Sequence, residues 1–144
     1  MRVEDHNGAA VSLNNIASVY STMGNSGKAL ETYKKSLKIL QNSGHLYGQA
    51  LTLGNIASLY FDTDQYQLAL EFQQKALNIN REIGTLPEVA SNLNNIGTIF
   101  YSLGKKAEAF EYFQQALSIH SQTNNKAGEA STLNNIQSLR QVRD

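Results

Sequence analysis

One asparagine returns every 40 residues along this chain, as Asn15, Asn55, Asn95 and Asn135. A carboxamide carries an acceptor and two donors on one flat group, so a single Asn can pair with both the N–H and the C=O of an extended peptide backbone. Four of them at a fixed interval make a ladder suited to reading main chain. The same chemistry has an internal use, in which the amides bond to a neighbouring helix and fix its packing angle. Either use accounts for the recurrence, since an exposed amide on a helix gives up some propensity relative to Ala or Leu. Asn14, Asn94 and Asn134 stand just before three of the four, and Gly54 interrupts that second series and leaves room for a ligand side chain.

Reaction chemistry finds no comparable pattern. His6, His45 and His120 are scattered near the predicted hairpin connections, and none has a carboxylate or second histidine at ligand spacing on the same helix. They are expected at the surface. No Gly-rich phosphate loop, serine elbow or paired carboxylate motif occurs, and there is no cysteine. Glu31 with Lys35 and Glu71 with Lys75 are i, i+4 pairs of a solvated helix face, each contributing a few tenths of a kcal/mol. The expectation is a protein that is not an enzyme and that takes no cofactor or metal.

The elements that position the asparagines follow from a longer echo: Leu13 to Tyr20 returns as Leu53 to Tyr60, Leu93 to Phe100 and Leu133 to Arg140. A strict period of this size marks units that cannot bury their apolar faces alone and stack on their neighbours. Within the first unit, Ile16, Val19, Tyr20 and Met23 fall three, four and seven apart, which predicts one buried helical stripe. After Gly24 and Asn25 the pattern restarts with Ala29, Leu30, Tyr33, Leu37 and Leu40, a second helix. Each unit therefore reads as a helical hairpin, with units at 5–44, 45–84 and 85–124 and a half repeat at 125–144. The breakers keep the same phase: Gly24, Asp64 and Gly104 close the first helices, and Gly44, Gly84 and Asn124 follow the second. Gly and Asn tolerate the left-handed conformation past a helix end. Pro87 opens the third unit's first helix, where a missing N–H has no helical partner to lose. Small residues recur at Ala17, Ala57 and Gly97 and at Ala29, Ala69 and Ala109, where helix backbones must approach. Tyr20, Tyr60, Phe100, Tyr33, Phe113, Phe72 and Tyr112 are assigned to the core between them.

These positions resemble the tetratricopeptide repeat family, whose motif sets a small residue, an aromatic, an alanine, an aromatic and an alanine at fixed offsets. The first unit offers Ala17, Tyr20, Ala29, Tyr33 and Ser36, the second Ala57, Tyr60, Ala69, Gln73 and Ala76, and the third Gly97, Phe100, Ala109, Phe113 and Ala116. Ser36 and Gln73 depart from the pattern, the usual proline after the second helix is absent, and six extra residues lengthen the unit. The longer form is similar to the repeats of kinesin light chains and of bacterial sensor and signalling proteins. The resemblance implies an all-α, right-handed superhelical solenoid of three hairpins plus a C-terminal helix, with the first helix of each unit lining a concave surface. It further implies a peptide-binding set of Asn15, Asn55, Asn95 and Asn135, joined by Asn14, Asn94, Asn134, Ser18, Ser58 and Thr98, with Phe61 and Tyr101 toward one edge. Chaperone-binding members clamp a terminal carboxylate with basic residues on these helices. None occurs at 11–23, 51–63 or 91–103, so the lining suits an extended segment with apolar or weakly basic side chains.

Charge and composition agree with a binding role. Lys plus Arg and Asp plus Glu are 12 each in 144 residues, which gives no field to draw in nucleic acid or an acidic membrane. No apolar run reaches the roughly 18 residues of a membrane span, and the opening residues lack the apolar core of a signal peptide, so the expected setting is cytoplasmic. In the fourth echo Gln137 and Arg140 replace the small and aromatic residues, whereas Ile136 and Leu139 stay apolar. That reads as a solvating cap or as a truncated array. The first hairpin has no such cap, which leaves the chain a monomer or weakly self-associating through that hairpin. The function expected is a protein interaction module that holds an extended peptide of a partner; the alternative is a structural spacer or self-association unit.

Overall fold

The computed structural model describes residues 3–141, with side chains from 6 to 140. Among the described residues there are seven helices and no strand: α1 (Val3–Thr22), α2 (Ser26–Asn42), α3 (Leu46–Asp62), α4 (Tyr66–Ile83), α5 (Leu86–Ser102), α6 (Lys106–Gln122) and α7 (Lys126–Gln141). The chain is all-α, a run of tightly connected helices of 16 to 20 residues. It forms two compact units, one ending at Ile79 and the other beginning at Asn80, so the division falls inside α4.

All six connections contain a left-handed residue, two positions before the next helix begins. Four are glycines, Gly24, Gly44, Gly84 and Gly104, at φ between +70° and +87°, and two are Asp64 and Asn124 at +61° and +56°. The left-handed turn returns the chain's next N–H groups to the helix just completed. Asn25 N donates to Tyr20 O at 2.8 Å, and Gln65 N to Tyr60 O at 2.8 Å. The helix that follows is capped from the connection: Asn25 Oδ1 accepts from Lys28 N at 3.3 Å, His45 Nδ1 from Gly48 N at 2.9 Å, and Asn125 Oδ1 from Gly128 N at 2.9 Å. Pro87 sits in the first turn of α5, as its fixed φ favours. His45 is exposed and serves as that cap; His6 and His120 are half-buried, deeper than their expected surface position.

The small positions do what their size allows. Ala17, Ala29, Ala69 and Ala109 are fully buried and Ala57 nearly so. At Gly97 a Cβ would stand 2.6 Å from the Phe113 ring, so the glycine admits the aromatic. In the first unit, Leu53, Ile56, Leu59 and Tyr60 of α3 are buried, and α2 packs against that helix. Fully burying a side chain such as Ile56 stabilises by about 1.5 to 3 kcal/mol. In the second unit Ala109, Phe113 and Ile136 form one cluster with Phe100, Phe110, Leu117 and Leu139 around it. Phe72 and Tyr112 are half-buried and lie beside Tyr60 and Phe100, with ring centroids 5.5 Å apart in both pairs.

Helix α1 departs from the periodicity in two ways. It begins at Val3, well before the apolar pattern starts at Val11. Its stripe is also not buried: Ile16, Val19 and Met23 are 47%, 57% and 74% exposed, and Tyr20 is half-buried. Periodicity identifies an apolar face, whereas burial needs a second surface laid on it. Helix α2 lies on that stripe of α3; it also packs on α1, but on the face of Ala10 and Ala17, and no described helix covers the Ile16, Val19 and Met23 side.

Candidate functional site

In the first unit, Asn15 and Ser18 of α1 and Ser58 of α3 are exposed, and Asn55 is half-buried. The Asn15 and Asn55 carboxamides make no hydrogen bond to any described residue. Asn14 differs. Its Nδ2 donates to Thr52 Oγ1 at 3.0 Å, and the Thr52 hydroxyl lies 3.3 Å from Asn14 Oδ1, so this amide ties α1 to α3. Gly54, in the place of a second such amide, has open space where a Cβ would go. Ser18 shares a hydrogen bond with the Tyr33 hydroxyl; burial raises the pKa of that phenol and the bond to Ser18 pulls it the other way. Phe61 is half-buried and meets Tyr66 edge-on at 5.3 Å.

In the second unit, Asn95 of α5 is exposed and its carboxamide is again unpaired among the described residues. Asn135 of α7 donates from Nδ2 to Asn94 Oδ1 at 3.2 Å, which leaves it one further donor hydrogen and its carbonyl oxygen. Asn94 is thus engaged, Asn134 is exposed, and the Thr98 hydroxyl folds back onto Asn94 O at 3.1 Å. Tyr101 is 36% exposed.

Two groups of residues escaped the sequence reading. Val11 and Leu51 are 58% and 53% exposed, four residues before Asn15 and Asn55 and so on the same helix face. They give the first unit an apolar margin where the second has Ser91 and Ser131. The other group is a row of buried polar residues: Thr52, Asn92 and Thr132. Asn80 Nδ2 donates to Asn92 Oδ1 at 2.6 Å, whereas Thr132 Oγ1 has no partner. The signal was present as Ser12, Thr52, Asn92 and Thr132 at the same 40-residue interval, hidden because polar residues in an apolar stripe read as exposed. Among the described residues no three His, Asp or Glu side chains gather as a metal site, and no helix is long and apolar enough to cross a membrane.

A family model for the tetratricopeptide repeat matches residues 1–42 and 48–122. The chain belongs to the tetratricopeptide repeat family. Its motif positions are occupied as the family's are except at Gln73 and Ser36; Ser36 is buried and its hydroxyl donates to Ala10 O at 2.9 Å, so the substitution for alanine carries its own partner. No curated protein matches the sequence. Solved structures do match in fold. Aspartyl phosphate phosphatase F from Bacillus subtilis is similar at a TM-score of 0.86 with 18% identity, over 96% of this chain and 36% of that one. A putative kinesin light chain from Podosopora anserina, with nearly identical TPR-like repeats, is similar at 0.75 with 17% identity, over 92% of this chain and 65% of that one. The TPR2AB domain of yeast Sti1, solved in complex with pHSP90, is similar at 0.76 with 18% identity, over 91% of this chain and 46% of that one. The chain spans less than two thirds of the length of each of these three. At such identity the likeness is one of fold, a TPR-like solenoid, and the family's common role is that of a protein interaction module.

Proposed function

We propose that this tetratricopeptide chain holds an extended peptide segment of a partner protein against the first helices of its hairpins. Asn15 and Asn55 would pair with peptide backbone in the first unit, and Asn95 and Asn135 in the second. The observation that carries the reading is the state of three of these amides: among the described residues Asn15, Asn55 and Asn95 make no internal hydrogen bond, while the neighbouring Asn14 and Asn94 do. Structural amides and available amides are thereby sorted onto adjacent positions of the same helices. Asn14 and Asn94 leave the ligand set on this reading, and Ser58, Thr98, Asn134, Phe61 and Tyr101 contribute contact rather than backbone pairing. Val11 and Leu51 add apolar surface beside Asn15 and Asn55, which favours a peptide with aliphatic side chains there. The Sti1 relative, solved with pHSP90, supports the general mode, but the carboxylate clamp is disfavoured here because no Lys or Arg occurs at 11–23, 51–63 or 91–103. The repeat division at 44, 84 and 124 and a cytoplasmic setting belong to the same reading.

Each hydrogen bond to the peptide adds roughly 0.5 to 1.5 kcal/mol net. After ordering costs, a dissociation constant of order micromolar, about 8 kcal/mol, is expected. A peptide display screen against the purified chain tests this, with the Asn55→Ala, Asn95→Ala double variant as control. Enrichment of extended sequences that bind the parent and not the variant supports a peptide reader. No enrichment, or enrichment that survives the double substitution, moves the assignment to a spacer or self-association unit.

A further inference from the structure

Each compact unit contains the same three polar residues at the same intervals: Asn14, Thr52 and Asn55 in the first, and Asn94, Thr132 and Asn135 in the second. In both sets the threonine lies 38 residues, and the second asparagine 41 residues, after the first asparagine. Both threonines are 0% exposed. The hydrogen bonds, however, are arranged in opposite ways. In the first unit the Asn14 carboxamide is turned to the threonine: its Nδ2 donates to Thr52 Oγ1 at 3.0 Å, that oxygen also lies 3.3 Å from Asn14 Oδ1, and Asn55 bonds to no described residue. In the second unit Asn94 is engaged with the other asparagine, accepting at Oδ1 from Asn135 Nδ2 at 3.2 Å, and Thr132 Oγ1 is left without a partner.

A fully buried hydroxyl with no partner carries its whole desolvation penalty, so a bond offered to Thr132 stabilises more than one between groups that solvent can reach. Asn94 and Asn135 are both half-buried. Turning Asn94 to Thr132 satisfies the hydroxyl and releases Asn135, which in the free chain leaves that half-buried amide short of a bond. A peptide backbone laid against Asn135 removes this penalty, because it supplies the N–H and C=O that a carboxamide pairs with. The two arrangements seen in the two units are then alternatives whose balance the ligand shifts.

We propose that Asn94 is a positioning residue that exchanges partners when peptide binds: it leaves Asn135, which pairs with the peptide backbone, and donates from Nδ2 to Thr132 Oγ1 as Asn14 does to Thr52. The exchange rests on the reading of Asn135 as a peptide contact. It makes the fourth asparagine a conditional one, held by Asn94 in the free chain and released on capture, whereas Asn15, Asn55 and Asn95 bond to no described residue beforehand.

Urea unfolding of a Thr132→Val, Asn135→Ala cycle tests the exchange without any ligand. In the parent background Thr132→Val removes an unpaired hydroxyl and should leave the midpoint unchanged or raise it. Asn135→Ala frees Asn94 to reach Thr132, so in that background the same substitution should lower the midpoint. A shift of the same sign and size in both backgrounds overturns the exchange. A crystal structure of the Asn135→Ala chain should place Asn94 Nδ2 about 3 Å from Thr132 Oγ1; an Asn94 side chain turned elsewhere also overturns it. With a peptide selected by the display screen, Thr132→Val should weaken binding about three- to tenfold, the loss of one hydrogen bond made only in the bound state. Unchanged affinity overturns the coupling to peptide. If the screen enriches nothing, the peptide reading and the coupling fall together, whereas the cycle still decides whether Asn94 exchanges partners.

Discussion

Adjacent asparagines on one helix have different duties. Asn14 gives a partner to Thr52, whose side chain is 0% exposed, so Asn14→Ala leaves a buried hydroxyl unpaired and should destabilise the fold by about 1 to 3 kcal/mol. Asn15→Ala removes an exposed amide that bonds to no described residue and should stay within about 0.5 kcal/mol of the parent. Urea unfolding of the two variants measures the difference; equal losses would make Asn15 structural as well. Tyr33 supplies a pH-dependent counterpart. Burial raises its phenol pKa in the folded state, so the fold favours the protonated form. That contribution is present in full below the unfolded value of 10.0 and is lost as the pH rises through the folded value. Melting of the parent should therefore fall more steeply above about pH 10 than that of Tyr33→Phe. Parallel curves would mean the phenol titrates alike in both states. The 40-residue ladder was plain in the sequence, but which amides are engaged was not: Asn14 and Asn15 are the same residue type, and only the approach of Thr52 separates them.

Two glycines on neighbouring elements show how differently the same residue is used. Gly104 ends α5 at φ +78° with open space around its missing Cβ, so Gly104→Ala tests backbone conformation alone and should cost about 1 kcal/mol. Gly97 lies within α5 at ordinary helical φ but faces Phe113, so Gly97→Ala tests packing and should cost about 1 to 3 kcal/mol through overpacking. Pairing the second change with Phe113→Leu should recover part of the loss, and Phe113→Leu should do nothing for Gly104→Ala. A thermal-melt double-mutant cycle checks both statements. Element ends were legible because left-handed turns admit few residue types, and all six positions named from Gly, Asp and Asn adopt that conformation. The start of α1 was not legible, since residues before Val11 carry no apolar period, and neither was its exposure. The stripe of Ile16 and Val19 has the spacing of Ile56 and Leu59, but spacing along one helix contains no information about whether another helix lies upon it.

At the scale of the whole chain, stability in a repeat protein is a sum of local terms and nearest-neighbour interfaces, so it need not be uniform. Helix α3 buries Thr52, Leu53, Ile56, Ala57, Leu59 and Tyr60, and α5 buries Val89, Ala90, Leu93, Ile96 and Ile99. In α1 only Ala10 and Ala17 reach that depth among the described side chains, and in α7 only Thr132 and Ile136. Opening α1 or α7 therefore exposes much less apolar surface than opening α3 or α5, and local opening free energy follows that surface. Native-state hydrogen exchange should show amides of α1 and α7 exchanging well ahead of those in α3 and α5, with the order reversed for none of the four. Protection of α1 equal to that of α3 in the chain alone would mean that its apolar row is already covered in solution, and the exchange rate as a function of protein concentration would then identify the second copy as the cover.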